Sequence, residues 1–76
     1  MNVCLVIEQG WIIKGYKNEE KDTINLSDAS VVRRWSNGKG IGGIAKEENK
    51  NEYTLDYIGD VNVKTSKVLL EIPCEW

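Results

Sequence analysis

Histidine and phenylalanine are absent from this chain of 76 residues, which has only two cysteines and one proline. Without histidine, the usual Ser-His and Cys-His pairs of nucleophilic catalysis are unavailable. Cys4 and Cys74 form no CxxC pair, which argues against a zinc site. The acidic pairs at 19–20 and 47–48 lie in polar stretches, where solvation makes them poor general acids. We therefore expect a non-enzymatic protein with no catalytic residues, no metal and no cofactor.

The chain also lacks a long apolar run, and we expect no signal peptide. No segment approaches the roughly 20 apolar residues of a membrane span. The first apolar run, residues 3–7, has no basic residue before it and is interrupted by Glu8 and Gln9. We expect a cytoplasmic protein with no membrane partner. In that reducing compartment both cysteines are expected to be small buried hydrophobic residues.

The length predicts a single domain over residues 1–76, with a small core. A domain of this size buries only about 60% of its unfolded surface, so it needs further stabilisation. With disulfides and metals set aside, self-association remains, and we expect a homo-oligomer. The net charge of −2 and the isoelectric point of about 5.0 argue against a broad nucleic-acid-binding surface. They leave room for a local basic site that binds a small anion.

Apolar and β-branched runs between turn residues predict a mainly β (α+β) fold. It is a small antiparallel meander, curled or barrel-like, with five to six strands and one short helix. Strands are expected at 3–7, 11–16, 23–26, 29–35 and 67–72, with extended structure at 53–58 and around Val61 and Val63. Breaks are expected at Ser27-Asp28 and Gly59-Asp60. Apolar residues at helical spacing predict the helix over 41–48.

One stretch combines fixed positive charge, a large aromatic ring and flexible glycines. Arginine offers a planar fork of donors that suits phosphate, lysine adds a point charge, and tryptophan offers a face for a base. Glycines let main-chain N–H groups converge, and the positive end of the following helix would point the same way. The predicted ligand-binding residues are Arg33, Arg34, Trp35, Asn37, Gly38, Lys39 and Gly40.

A purely structural interpretation of the same stretch stays open. The arginines could pair with carboxylates, the tryptophan could belong to the core, and the glycines could simply make a tight turn. Alternation along a strand also predicts that Arg33 and Arg34 point to opposite faces of the sheet. Gly38-Lys39-Gly40 is not a phosphate-binding loop of the Walker type, because its spacing and its hydroxyl residue are missing.

Several motifs resemble a family of small hypothetical proteins encoded by phages and prophages. They are residues 10–16, 29–35, 39–42, 44–45 and 72–74 together with Trp76, of which the Arg-Arg-Trp…Lys-Gly-hydrophobic-Gly segment is the most specific. Ser36-Asn37-Gly38 stands where members have a Gly-Thr-Thr-like turn, so a hydroxyl-based contact does not carry over. The resemblance implies a small cytoplasmic accessory protein made during infection or from a prophage, with no activity to transfer.

That context favours functions exerted by binding. The first is an anti-defence sponge that sequesters a nucleotide-derived host immune signal in a pocket at a subunit interface. The alternative is an inhibitor similar to anti-CRISPR proteins, which binds a host defence protein through an exposed acidic or aromatic patch. That patch would comprise Glu47, Glu48, Glu52, Tyr53, Asp56 and Tyr57. A third possibility is an Sm-like RNA-binding module, which residues 10–15 and 24–29 faintly resemble.

Overall fold

The computed structural model describes residues 1–76, except the side chain at position 19. It contains one five-stranded antiparallel sheet, in the order β4-β3-β2-β1-β5. Strands β1 to β4 follow each other as a meander, and β5 returns to pair with the outer side of β1. The strands are β1 (Asn2–Ile7), β2 (Trp11–Glu19), β3 (Thr23–Trp35), β4 (Tyr53–Lys64) and β5 (Val68–Pro73). The mainly β prediction is confirmed, but the sheet is not closed into a barrel.

Two predicted strand breaks are wrong, because both positions are irregularities within long strands. Ser27-Asp28 lies inside β3, where Asp28 has a φ of 50° and the pairing with β4 shifts between Leu26 and Ala29. Gly59 lies inside β4 with a φ of 83°. A bulge inserts a residue without ending the strand, so turn-forming residues were compatible with continued pairing.

The predicted helix over 41–48 is also wrong in type and bounds. The chain instead forms two short 3₁₀ segments, Ile41–Ala45 and Glu47–Glu52. Lys46 between them has extended backbone angles, with φ −93° and ψ 125°. Glycines at two positions of the first segment disfavour helix propagation, so packing rather than propensity holds it in place.

The sheet buries side chains on both faces. Val3 and Leu5 on β1 belong to one cluster together with Ile13, Leu26 and Ala29, among others. Cys4 lies between them in sequence and belongs to a second cluster, which contains Val32, Ile44 and Tyr53. Alternation along β1 therefore directs neighbouring residues into separate cores.

The 41–45 segment and the last residues of the chain cover the second cluster. Ile44 is fully buried there. The Trp76 indole N–H donates to the Ile44 carbonyl oxygen at 2.7 Å, and the Glu75 main-chain N–H donates to Ala45. Cys4 is buried and Cys74 is partly buried, and both are free thiols. None of the helical segments in the described chain has the length and apolar character that a membrane crossing requires.

Candidate functional site

The arginine pair lies at a bulge near the end of β3. Val32 pairs with Leu55 and Arg34 pairs with Thr54, so Arg33 is an extra residue on its strand. At such a bulge, successive side chains do not alternate strictly between the two faces of the sheet, so the expectation of opposite faces for Arg33 and Arg34 does not follow from strand geometry. The Arg33 Nε atom lies 2.7 Å from Asp56 Oδ2, and both side chains are more than half exposed. Such an exposed pair contributes only about 0–1 kcal/mol to stability, so Arg33 remains available for another partner.

Trp35 lies at the border between the second cluster and solvent. It pairs across the strands with Tyr53, and the two ring centroids are 6.0 Å apart with the planes tilted by 33°. One part of the indole packs against the core, and the rest is accessible. The Arg-Trp segment is therefore not enclosed in the core, since both arginines are exposed and the tryptophan is half-buried.

The turn after Trp35 is held by its own hydrogen bonds. The Asn37 Oδ1 atom accepts the Lys39 main-chain N–H at 2.9 Å, which closes a tight local turn. Gly38 and Gly40 have φ angles of 73° and 69°, in the left-handed region that favours glycine. The Gly40 carbonyl oxygen accepts the Tyr53 hydroxyl at 2.6 Å. Asn37 to Gly40 thus form an ordered turn, anchored to β4.

Two predicted residues converge on one carboxylate. The Lys39 Nζ atom donates to Glu52 Oε1 at 3.0 Å and Oε2 at 3.3 Å, and Asn37 Nδ2 donates to Oε1 at 2.9 Å. The hydrogen bonds from Lys39 and then Asn37 hold the pKa of Glu52 below its usual range. This group of donors is therefore arranged around a negatively charged oxygen pair.

Asn49 is a part of this arrangement that no sequence signal indicated. Its side chain is buried, accepts a hydrogen bond from Lys39 Nζ at 2.9 Å and donates to the Gly43 carbonyl oxygen at 2.9 Å. It links the turn to the second 3₁₀ segment. Glu52 was expected only as a member of the alternative acidic patch. Asn49 and Glu52 follow Lys39 by 10 and 13 residues, so only folding shows that they meet it.

The prediction that the positive end of a helix faces the anion site is wrong. The 41–45 segment has five residues in 3₁₀ geometry and no side-chain cap at Gly40. A single short turn carries little of the macrodipole that a longer α-helix directs at an anion. Any anion here would depend on side chains and on individual main-chain N–H groups.

Five of the six residues expected in the alternative acidic and aromatic patch are exposed, namely Glu47, Glu48, Glu52, Asp56 and Tyr57. Tyr53 is 6% exposed, so its expected place in a surface patch is wrong. Asp56 is paired with Arg33, and Glu52 with Lys39. Both ion pairs are exposed, so they leave these carboxylates accessible. Tyr57 is 69% exposed and lies on the edge strand β4.

A second concentration of polar groups was not singled out in the sequence. A cavity of about 480 Å³ opens on the sheet, lined by Asn2, Lys14, Gly15, Tyr16, Ser27, Asp28, Ser30, Leu55 and Trp76. Lys14 is 7% exposed although it is charged. Desolvation lowers its pKa from the ordinary value, while the neighbouring Cys74 and Cys4 thiols act in the opposite direction.

Comparisons of the chain with protein-family models, with curated proteins and with solved structures find no match. The interpretation of both sites therefore depends on their geometry and charges.

Proposed function

We propose that this chain is a non-enzymatic, phage-type accessory protein that sequesters a nucleotide-derived small ligand, such as a host immune signal. The observation that supports it is the convergence of Lys39 and Asn37 on the Glu52 carboxylate. Donors that surround a carboxylate in this way also suit a phosphate group, because both present paired, negatively charged oxygens.

In the proposed complex, a ligand phosphate takes the place of the Glu52 side chain. The Lys39–Glu52 pair is half exposed, at 46% and 40%, so solvent already weakens it and a phosphate can compete for the same donors. Lys39 Nζ and Asn37 Nδ2 then donate to phosphate oxygens. The main-chain N–H groups of Gly38 and Gly40 supply further donors, because both glycines hold left-handed backbone angles.

The arginines and the tryptophan complete the proposed site. Arg34 is exposed next to the bulge, and Arg33 forms an exposed ion pair with Asp56. The accessible part of the Trp35 indole offers a stacking surface for a base. Since Trp35 also packs against the core, we propose that a second copy of the chain covers the ligand from the open side. A homo-oligomeric sponge of this kind acts by stoichiometric binding in the cytoplasm of the host.

A thermal-shift screen tests the proposal directly. The probes are cyclic di- and trinucleotides, ADP-ribose isomers, mononucleotides and short RNA. A ligand at about 100 times its dissociation constant stabilises the folded state by about 2.7 kcal/mol. In a domain this small, that corresponds to a shift of more than about 10 °C.

Matched variants locate the ligand. Lys39→Met and Arg34→Ala should abolish the shift, whereas Lys50→Met should keep it, since Lys50 is an exposed lysine paired with Glu47 on the neighbouring segment. Glu52→Gln should strengthen binding, because it removes the competing negative charge. A panel without any shift, or a shift that is equal in all variants, would refute the site. A shift with short RNA alone would instead favour the Sm-like RNA-binding function.

A direct inhibitor of a host defence protein is the second candidate. It is supported by the edge strand β4, where Tyr57 and Ile58 are 69% and 42% exposed. An edge strand offers unpaired main-chain groups, to which a partner protein can add a strand of its own. In this case Tyr57→Ser, and not Lys39→Met, should abolish capture of a purified host defence complex.

A further inference from the structure

The cavity on the sheet is shaped by irregular pairing between β2 and β3. Lys14 pairs with Ser30 and Tyr16 pairs with Ser27, so the register shifts at Gly15. A Cβ atom at Gly15 would lie 3.1 Å from Leu26 Cβ and 3.2 Å from Ala29 Cα, so the strands approach closely at this point. Bulges redirect side chains and often lie beside binding sites. Here the bulge places Asp28 and two serines on the wall of the cavity.

Lys14 brings a buried positive charge to the same cavity. Its Nζ atom donates to the Trp76 main-chain oxygen and lies 3.9 Å from the centroid of the Trp76 ring. An ammonium group has three N–H donors, and a buried lysine is rare unless these are satisfied. The Trp76 oxygen accounts for one donor and the ring covers one side. A ligand oxygen in the cavity would satisfy another donor.

Asp28 brings the opposite charge to the wall of the cavity. Its φ of 50° is left-handed, which is uncommon for a residue other than glycine. The Tyr57 hydroxyl donates to Asp28 Oδ1 at 3.0 Å and orients the carboxylate.

We propose that this cavity binds a small organic acid that also carries a hydrogen-bond donor, of which an apolar amino acid is the simplest example. The ligand carboxylate pairs with Lys14, its ammonium or hydroxyl donor reaches Asp28, and its apolar body lies against Leu55 and Trp76. The volume of about 480 Å³ lies in the range of small-molecule sites.

The charges of the cavity separate its ligand from the one proposed for the 37–40 turn. Asp28 repels a phosphate group with more than one negative charge, whereas it attracts the cationic end of a zwitterion. The two sites also share no residue. The inference therefore goes beyond the proposed function, and either can fail without the other.

Ligand titration followed by NMR chemical shifts tests the inference. The probes are L-phenylalanine and L-leucine at millimolar concentrations, with 2-phenylethylamine and 3-phenylpropionate as analogues that lack the carboxylate or the amine. We expect the amino acids to shift amide signals around Gly15, Ser27 and Ser30. Each analogue should bind at least about 10-fold more weakly, which corresponds to about 1.4 kcal/mol.

Two variants remove the charges one at a time. Lys14→Met removes the ammonium group and keeps an apolar side chain of similar length. Asp28→Asn keeps a residue type that tolerates left-handed angles. Both should weaken binding at least about 10-fold, while Lys39→Met and Asp22→Asn should not change it. Absence of any shift in the unmodified protein, or equal affinity in the Lys14 and Asp28 variants, would overturn the inference.

Discussion

Replacement of Gly43 by alanine tests how the 41–45 segment is held against the sheet. A Cβ atom at this position would lie 2.6 Å from the Tyr53 hydroxyl oxygen and 2.8 Å from Lys39 Cβ. The Tyr53 ring is buried, and its hydroxyl is bound to the Gly40 carbonyl oxygen. The Lys39 Cβ atom is attached to an ordered turn. Neither neighbour can move aside without disturbing other contacts.

The magnitude follows from two contributions. Overpacking of a filled site costs about 1–3 kcal/mol. Loss of the Tyr53 hydrogen bond costs about 1 kcal/mol more. We therefore expect Gly43→Ala to lower the free energy of unfolding by about 2–4 kcal/mol. For a domain of this size, the melting temperature should fall by roughly 10–30 °C.

Gly42→Ala is the matched control, since it makes the same change one residue earlier. No heavy atom lies within 4 Å of a Cβ at Gly42, and its φ is outside the left-handed region. The added methyl group should be neutral, or stabilise the protein by up to about 1 kcal/mol through the unfolded state. Urea and thermal denaturation, followed by tryptophan fluorescence and circular dichroism, measure both variants.

A double-mutant cycle with Tyr53→Phe tests whether the Tyr53 hydroxyl is the group that clashes with the added methyl group. Tyr53→Phe removes the hydroxyl that Gly43→Ala would meet, so the double variant should lose less stability than the sum of the single variants. We expect a coupling of at least about 1 kcal/mol, because the two positions are in direct contact. Equal stability of the Gly42 and Gly43 variants, or strict additivity in the cycle, would refute the packing argument.

Three further predictions concern the core, the buried thiol and the carboxylate of the turn. Leu5 is fully buried and Leu69 is 67% exposed, so in urea denaturation Leu5→Ala should cost about 2–5 kcal/mol and Leu69→Ala less than about 0.5 kcal/mol. Desolvation raises the pKa of Cys4 from 9.0 to about 12. Because the thiol of the unfolded chain ionises first, the free energy of unfolding is unaffected below pH 9.0 and falls as the pH rises from 9.0 towards 12. Melting curves against pH should show a loss of about 1 kcal/mol near pH 10 that is absent in Cys4→Val. The pKa of Glu52, followed by NMR titration, should lie below the usual range and should rise in Lys39→Met, because the Lys39 hydrogen bond is the largest cause of the lowering. The same Glu52 pKa in the variant and the unmodified protein would contradict this contact.

The strands were predictable where apolar runs meet unambiguous turns. Residues 3–7 and 11–16 are mainly apolar and flank the turn residues Gln9-Gly10. They form the β1–β2 hairpin that this pattern favours. The pattern failed at Asp28 and Gly59, because a bulge uses the same residue types as a turn. Which of the two forms depends on whether neighbouring strands continue to pair, and this is a property of the whole sheet.

The candidate site was predictable only in part, for a similar reason. Gly38 and Gly40 do hold the positive φ angles that a tight turn needs. The partners of that turn, Glu52 and Asn49, come from a distant segment with no local signal. Lys14 was missed because a lysine next to apolar strand residues is ordinarily solvated at its tip.

The sequence by itself determined the β class, the first hairpin and the positions of flexible main chain, since these depend on side-chain pattern and on glycine sterics. Tertiary structure alone decided that both faces of the sheet are buried, that the 41–45 segment is 3₁₀ rather than α-helical, and that Lys14 and Asp28 line one cavity. These outcomes depend on contacts between residues far apart in the chain, whose free energies outweigh local propensities of about 1 kcal/mol or less.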